Sequence, residues 1–468
     1  MIWTVIAIVL IPSSTDNGKI PLVWTTDPNP QRDPQVEWFN TLNPDCELCI
    51  DPSNAGVMKV VVQSSAGMGP DLIGAVTTHS FQTYRDAGIL WDITDQAAEM
   101  GFGLDTLPEQ VHDLVQLRDP ETLEYRQYIY PANLYNTIII YNKDLFDEHG
   151  VDYPPMDLTW DRYIDIAKVM TVYDEGYTAV PHIFGGGGVD PLNVLWSHEG
   201  ALVNEDGTRC LLGEPEATAA MVFLHGLYFE HAVEPTATMR AGVSAQGGWG
   251  GGFMNWFGEG KCAMFFGSRW MLIQLRRHYQ EQRSAGIKIT RMGACLIPRL
   301  ADGKRYSRTE VRGVGINRMS PVREDALKFL QFLAGAQYSE LINEGGDAMP
   351  GNKAYVSLEH LEHPDWPGEH EINDITINSI PFARAPRKSL LVDYAVIDRA
   401  FQRAVSEITS NDSLSEGQIR RIMQRAAIEV DEVIAENIGR NPKVMRTYEL
   451  LLEQGAETAC LFQKEDVQ

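Results

Sequence analysis

A chain of 468 residues, 44% of them hydrophobic and 9% aromatic, has the length for two or three domains and the apolar material for proper cores, which excludes a disordered chain. Its 64 acidic against 39 basic residues leave a formal charge of -25, a field that repels nucleic acid and anionic membrane surfaces. No nucleic-acid partner is expected.

Residues 1–11 are mostly apolar and stop at Pro12. That run matches the apolar region of a secretion signal and falls short of the ~20 residues that span a bilayer. No Lys or Arg precedes it, no small-x-small cleavage site is clear, and no cysteine follows to accept a lipid. Residues 1–18 therefore read as an export signal or a membrane tether, and the protein as periplasmic or extracellular. Cys46 and Cys49 form a C-x-x-C, but within a strand, residues three apart point to opposite faces, which argues against a redox or zinc role. Cys210, Cys262, Cys295 and Cys460 lack ligand spacing and read for the most part as small buried apolar residues.

From Lys19 onward strands and helices alternate. Residues 19–26 read as a strand ending in Trp24-Thr25-Thr26-Asp27, and Asp33-Pro34 opens a helix with Val36, Phe39 and Leu42 as its apolar stripe. A strand at 46–51, a helix at about 55–65 and a third strand after Gly69-Pro70-Asp71-Leu72 follow. His79, Ser80, Phe81 and Tyr84 then enter a helix that ends before Gly88-Ile89-Leu90-Trp91-Asp92-Ile93. Units of this kind build a parallel sheet whose ligands lie at the carboxyl ends of the strands, here residues 24–32 and 77–84. The run at 137–141 is too short for a helix and rich in isoleucine, hence a buried strand. Asn142-Lys143-Asp144 starts a short helix that the turn at 150–155 stops, and Thr159 caps another with Tyr163, Ile164, Ile166, Ala167 and Met170 inward.

The second half is richer in glycine. The run 185–188 could cradle phosphate, but the dinucleotide spacing is absent, and it reads as a flexible wall of a cleft, followed by Asn193 and Trp196. The piece at 247–252 precedes Phe257-Gly258-Glu259-Gly260-Lys261-Cys262-Ala263-Met264, which fails as a phosphate loop because Cys262 stands in place of Ser or Thr and Asn255 in place of the leading glycine. His360, His363 and His370 with Glu362 and Asp365 form the one cluster with metal-like composition, but they lie in a polar, Pro-containing stretch where solvated side chains are the ordinary outcome. No metal and no cofactor is expected. Residues 414–437 form a periodic helix with Ile419, Ile422, Met423, Ala426, Val430, Val433 and Ile434 on one face, and Asn441-Pro442 opens a last helix to about residue 454.

The phrases Tyr130-Pro131, Tyr141-Asn142-Lys143-Asp144-Leu145-Phe146 and Thr159-Trp160-Asp161 closely resemble the middle of the sugar-binding family of extracellular solute-binding proteins of ABC importers. Gly69-Pro70-Asp71-Leu72, the Phe257 to Met264 phrase with Gly267-Ser268-Arg269-Trp270, Gly313-Val314-Gly315-Ile316-Asn317 and residues 345–351 resemble the family's other landmarks, in the same order, over about residues 19–436. The resemblance implies an α/β fold of two lobes, the type II periplasmic-binding-protein fold, with mixed sheets flanked by helices and three hinge crossings. Its implied division is 19–134 with 314–355 for lobe one, 135–313 with 356–436 for lobe two, and 437–468 for a C-terminal helical extension. It also implies a monomer that binds a small-molecule carbohydrate between the lobes and meets ABC-transporter permease subunits, with no bond made or broken.

Carried over by position, the ligand-binding residues are Asp27, His79, Ser80, Tyr135, Asn136, Trp196, Arg269, Trp270 and Tyr394. Aromatic faces suit the apolar face of a pyranose, while Asp, Asn, Arg and His satisfy its hydroxyls. The family's Asp-Arg pair reads His79-Ser80 here, and one extra residue precedes Trp270, so a different hydroxyl pattern is implied. Two other classes stay open: a secreted carbohydrate-active enzyme, which needs two carboxylates at a set separation, and a binder of iron or polyamine.

Overall fold

The computed structural model describes residues 18–27, 29–51, 56–174, 181–236, 239 and 253–459. The apolar start, save Gly18, and the glycine piece at 247–252 lie outside the described residues. Among the described residues, no helix is long and apolar enough to cross a membrane.

Two sheets organise the chain. In the first, β1 (Ile20–Thr25) pairs in parallel with β2 (Cys46–Ile50) and β3 (Leu72–Val76), as the alternating strand-helix pattern predicts. The sheet is mixed because β10 (Ser307–Ile316) returns antiparallel to β3 and to β6 (Ile129–Asn136), while the two-residue β11 (Ala383–Arg384) joins its edge. A small hairpin, β4 (Gln116–Arg118) with β5 (Tyr125–Gln127), stands apart. The second sheet has β7 (Ile138–Asn142) between β8 (Met264–Gly267) and β9 (Met292–Cys295), all antiparallel.

The isoleucine run explains itself in β7. Successive side chains point to opposite faces, so Ile139 and Tyr141 enter one hydrophobic core and Ile138 and Ile140 another. The first sheet packs around a third core that takes Leu22, Trp24, Val76, Tyr130, Val314 and Met349. These cores make two lobes: the chain leaves the first from β6 into β7, returns from β9 into β10, leaves again between Val356 and Trp366, and touches the first sheet once more through β11 before Leu391 enters the core of the second.

Local capping follows the sequence reading. Asn142 accepts from the backbone of Asp144 and Leu145 to start the helix Lys143–His149, and Gly150, at φ +65°, ends it. Thr159 accepts from Arg162 to open Trp160–Met170, whose buried residues include Tyr163, Ile164, Ile166, Ala167 and Met170. Cys46 is buried and Cys49 half-buried, both free. Burial pushes both thiols up, so neither is poised as a thiolate.

The glycine run at 185–188 departs from the expectation of a flexible wall. A Cβ on Gly185 would stand 1.8 Å from the Ala167 carbonyl oxygen, and one on Gly187 2.1 Å from the Phe253 ring. The backbone N–H groups of Gly188 and Val189 donate to Glu234 at 3.0 and 3.4 Å. The glycines therefore allow close packing of backbone against neighbours.

The last helix, Pro442–Glu453, packs on lobe two through Tyr448 and Leu451. Its partner Glu416–Arg440 buries Asp431, whose carboxylate accepts from the Cys210 N–H at 2.7 Å. Burial pushes the Asp431 carboxyl up to about 6 from an ordinary 3.8, against a smaller opposing effect of that hydrogen bond. A folded-state value above the unfolded one means that stability falls as pH rises from about 4 to 6 and then levels off. Asp431→Asn keeps the acceptor and removes the charge, so it is expected to stabilise the protein by about 2 kcal/mol at pH 8, with the gain fading as pH falls through 6 toward 4. Urea unfolding of both proteins at the two ends of that range checks it, and a gain independent of pH would refute it.

Candidate functional site

Strand β1 delivers Thr26 and Asp27 to its carboxyl end, and the next helix, Arg32–Leu42, begins with an arginine that is almost fully buried. Arg32 donates through Nε to Asp27 Oδ1 at 3.1 Å and through Nη1 to Asp347 Oδ2 at 2.9 Å and Gln35 Oε1 at 3.1 Å. Asp347 comes from the turn after helix Ala336–Gly345, where Gly346 at φ +69° reverses the chain. Its carboxylate also accepts from Asn133 at 2.9 Å and Asn29 at 3.4 Å.

The crossing strands supply a second wall. Their register sets Arg312 opposite Asn133 and Glu310 opposite Tyr135, so the period of two puts Arg308, Glu310, Arg312, Asn133 and Tyr135 on one face of the ribbon. Arg312 reaches Asp27 Oδ1 at 3.1 Å. Lobe two contributes Trp270, half-buried in the single turn Arg269–Met271 that follows β8. A cavity of about 120 Å³ is lined by Asp27, Asn29 and Asp347, by Asn133, Tyr135 and Arg312 of the ribbon, and by Trp270. Both lobes and the hinge strands therefore contribute to one space.

The electrostatics are balanced. Burial raises the Asp27 carboxyl, but Arg32 and Arg312 outweigh it and hold the group below the ordinary carboxylate value. The Tyr135 phenol is pushed well up, by burial first and by the Glu310 carboxylate beside it. Asp27 Oδ2 and Asn133 Oδ1 are buried acceptors with no hydrogen-bond partner among the described residues. Such atoms are costly to leave unmade, and a ligand that donates O–H groups would satisfy them.

Of the nine residues taken from the resemblance, the structure brings Asp27, Tyr135 and Trp270 to this cavity. The other six do not line it. His79 is exposed, its Nδ1 3.6 Å from Asp398. Ser80 closes the cap of helix Thr78–Asp86 by accepting from the Thr77 N–H at 3.2 Å. Asn136 donates to Ser379 at 3.0 Å and accepts from Thr309 at 2.6 Å. Trp196 lies in the lobe-two core, with the Arg384 guanidinium 5.1 Å from its ring. Arg269 is fully buried and donates to Asn373 and to the carbonyls of Ala348, Asn343 and Leu361. Tyr394 is buried at the start of helix Tyr394–Thr409.

The sequence reading misses Asn29, Asn133, Arg312 and Asp347 of the lining and Arg32, which joins its two carboxylates. A signal existed for one of them: Arg308, Glu310 and Arg312 alternate with Thr309, Val311 and Gly313, the pattern of a strand with one charged face inside the protein. Among the described residues, no group of three or more His, Cys, Asp or Glu converges as a metal site, and His370 of the histidine-rich stretch pairs with Glu362.

Solved structures share this architecture. A substrate-binding protein of Listeria monocytogenes in complex with cycloalternan superposes with a TM-score of 0.69 at 20% identity, covering 88% of this chain and 98% of that one. An ABC-transporter solute-binding protein of Thermotoga lettingae bound with α-D-tagatose gives 0.68 at 18% identity, covering 89% and 100%. A relative in Brucella abortus, named as a binding protein, is 23% identical over 404 residues, 80% of this chain and 90% of its own. The family model described as bacterial extracellular solute-binding protein matches residues 30–340, and the chain belongs to that family.

Proposed function

We propose that this protein is the capture component of an ABC importer, binding a sugar between its lobes outside the cytoplasmic membrane and presenting it to a membrane permease. The observation that carries the reading is the cavity itself, where an aromatic face from lobe two meets paired carboxylates, amides and a guanidinium from lobe one and the hinge strands. Trp270 can stack on the apolar face of a pyranose while Asp27 and Asn133 accept its hydroxyl protons. Neighbours of the same fold are in complex with cycloalternan and bound with α-D-tagatose, which supports the choice of ligand class.

Hydrolysis fits less well. The carboxylates of this cavity, Asp27 and Asp347, share Arg32, and Asp27 is held ionised, whereas a glycosidase needs one carboxyl kept protonated as the acid. Iron binding through tyrosinate is disfavoured by a Tyr135 phenol pushed in the opposite direction. A polyamine would require carboxylates that guanidinium groups had not already neutralised.

Trp270→Ala is expected to weaken sugar binding by ~1–3 kcal/mol, by analogy with aromatic stacking on nucleic-acid bases, with a small effect on ligand-free melting because the ring is only half-buried. Calorimetric titration and melting of the same variant decide it: unchanged affinity together with early melting would remove Trp270 from the site. Reducing ends released from a bound oligosaccharide would refute the capture reading itself.

A further inference from the structure

The charges around the cavity close among themselves. Asp27 and Asp347 contribute two negative charges, Arg32 and Arg312 two positive ones, and every one of the four is bonded to another at 2.9 or 3.1 Å. The four charges sum to zero, so an anionic or a cationic ligand would bring into the cavity a charge that nothing there offsets in net, which makes both ligand types unfavourable. What stays open is neutral hydrogen bonding. The acceptors Asp27 Oδ2 and Asn133 Oδ1 and the donor Arg32 Nη2 are buried without partners among the described residues, a set that hydroxyl groups can satisfy because they both donate and accept.

Size is the second constraint. The cavity's 120 Å³ lies well below the ~300–1,000 Å³ of a pocket for a drug-sized ligand, so it suits a small one. Along the same ribbon face beyond Arg312, Glu310 and Arg308 are already engaged in polar contacts. Glu310 accepts from Thr78 N–H and Oγ1 at 2.9 and 2.8 Å, and Arg308 pairs with Asp190 at 2.6 Å. Outside them Gln82 donates to the carbonyls of Ser389 and Val392 at 2.7 and 3.2 Å, tying lobe one to the segment ahead of helix Tyr394–Thr409. Further rings of an oligosaccharide would have to break these contacts.

We infer that the ligand is a single neutral monosaccharide, or a polyol of that size with at least two hydroxyl donors, rather than an oligosaccharide, a uronic acid or an amino sugar. The inference rests on the sugar-capture reading and narrows it. Its test is calorimetric titration of the full chain with neutral hexoses, pentoses and hexitols, with the uronic acid and amino-sugar counterparts of the best binder, and with the disaccharide and tetrasaccharide built from it. The expected result is saturable binding of one neutral monosaccharide or polyol, at least tenfold weaker binding of both charged counterparts, and at least tenfold weaker binding of the tetrasaccharide. Equal or tighter binding of a charged counterpart or of the tetrasaccharide would overturn the inference while leaving sugar capture standing. Absence of heat and of any melting shift with every carbohydrate would overturn the capture reading and the inference together.

Discussion

Arg32→Met is expected to destabilise the folded protein by about 3–5 kcal/mol at neutral pH, the usual cost of breaking a buried ion pair from one side. Methionine fills similar volume, so the loss is electrostatic. The two carboxylates that Arg32 joins, Asp27 and Asp347, would stay buried, with only Arg312 left and bonded to Asp27. The pH dependence gives the sign. In the native protein Asp27 titrates below its ordinary value, so its contribution to stability is present above pH 3.8 and is lost as pH falls through the lower folded-state value. In the variant Asp27 loses its main counter-ion and titrates higher. The gap between the two proteins should therefore narrow as pH drops from 7 toward 4. Urea unfolding at a series of pH values measures it, and a gap of constant size, or none at pH 7, would mean that the pair contributes little.

Arg269→Met should be comparably damaging, about 3–5 kcal/mol, for a different reason. The guanidinium is wholly buried and holds together three stretches that are far apart in sequence, through Asn343 and Ala348, Leu361, and Asn373. Removing it leaves the Ala348 carbonyl and Asn373 Oδ1 without a donor among the described residues, while the Leu361 carbonyl keeps Asn373 Nδ2 at 3.0 Å and the Asn343 carbonyl keeps the Gly346 N–H at 3.3 Å. Burial, with Arg276 adding repulsion, already pulls this guanidinium down to about 9, so it is an expensive charge kept for the acceptors around it. The prediction separates its two possible roles. A structural arginine lowers the unfolding midpoint and leaves the affinity of the folded fraction unchanged, whereas a ligand contact lowers affinity with little change in the midpoint. Titration at low temperature, where the variant stays folded, beside urea unfolding at the same temperature, distinguishes them.

The difference between Arg269 and Trp270 shows where positional resemblance stops working. The two residues are adjacent, and the turn after β8 sends one side chain into the protein and the other toward the cavity. Nothing in the phrase Gly267-Ser268-Arg269-Trp270 distinguishes them, because what decides is which carbonyls wait behind the strand. Ser80 is a similar case: its hydroxyl closes a helix cap, a local role that the pattern Thr-x-x-Ser permits but does not require. Asn136 and Tyr135 are neighbours on β6, so they face opposite sides of the ribbon. Tyr135 reaches the cavity, and Asn136 turns to Ser379 and Thr309.

What the chain's order of residues determined by itself was local and periodic. The isoleucine strand buried on both faces, the Asn142 and Thr159 caps, the apolar face of Trp160–Met170 and the alternation that builds a parallel sheet all depend on neighbours a few residues apart. The order of family phrases added the two-lobed fold. Only the tertiary structure decided the site, since Arg32 meets Asp347 across 315 positions and Asn133 meets it across 214. Charged residues placed singly along a sequence look like solvated surface. They become a neutral, hydrogen-bonding cavity only when folding takes them out of water, where each charge must find its opposite and each unpaired acceptor calls for a ligand.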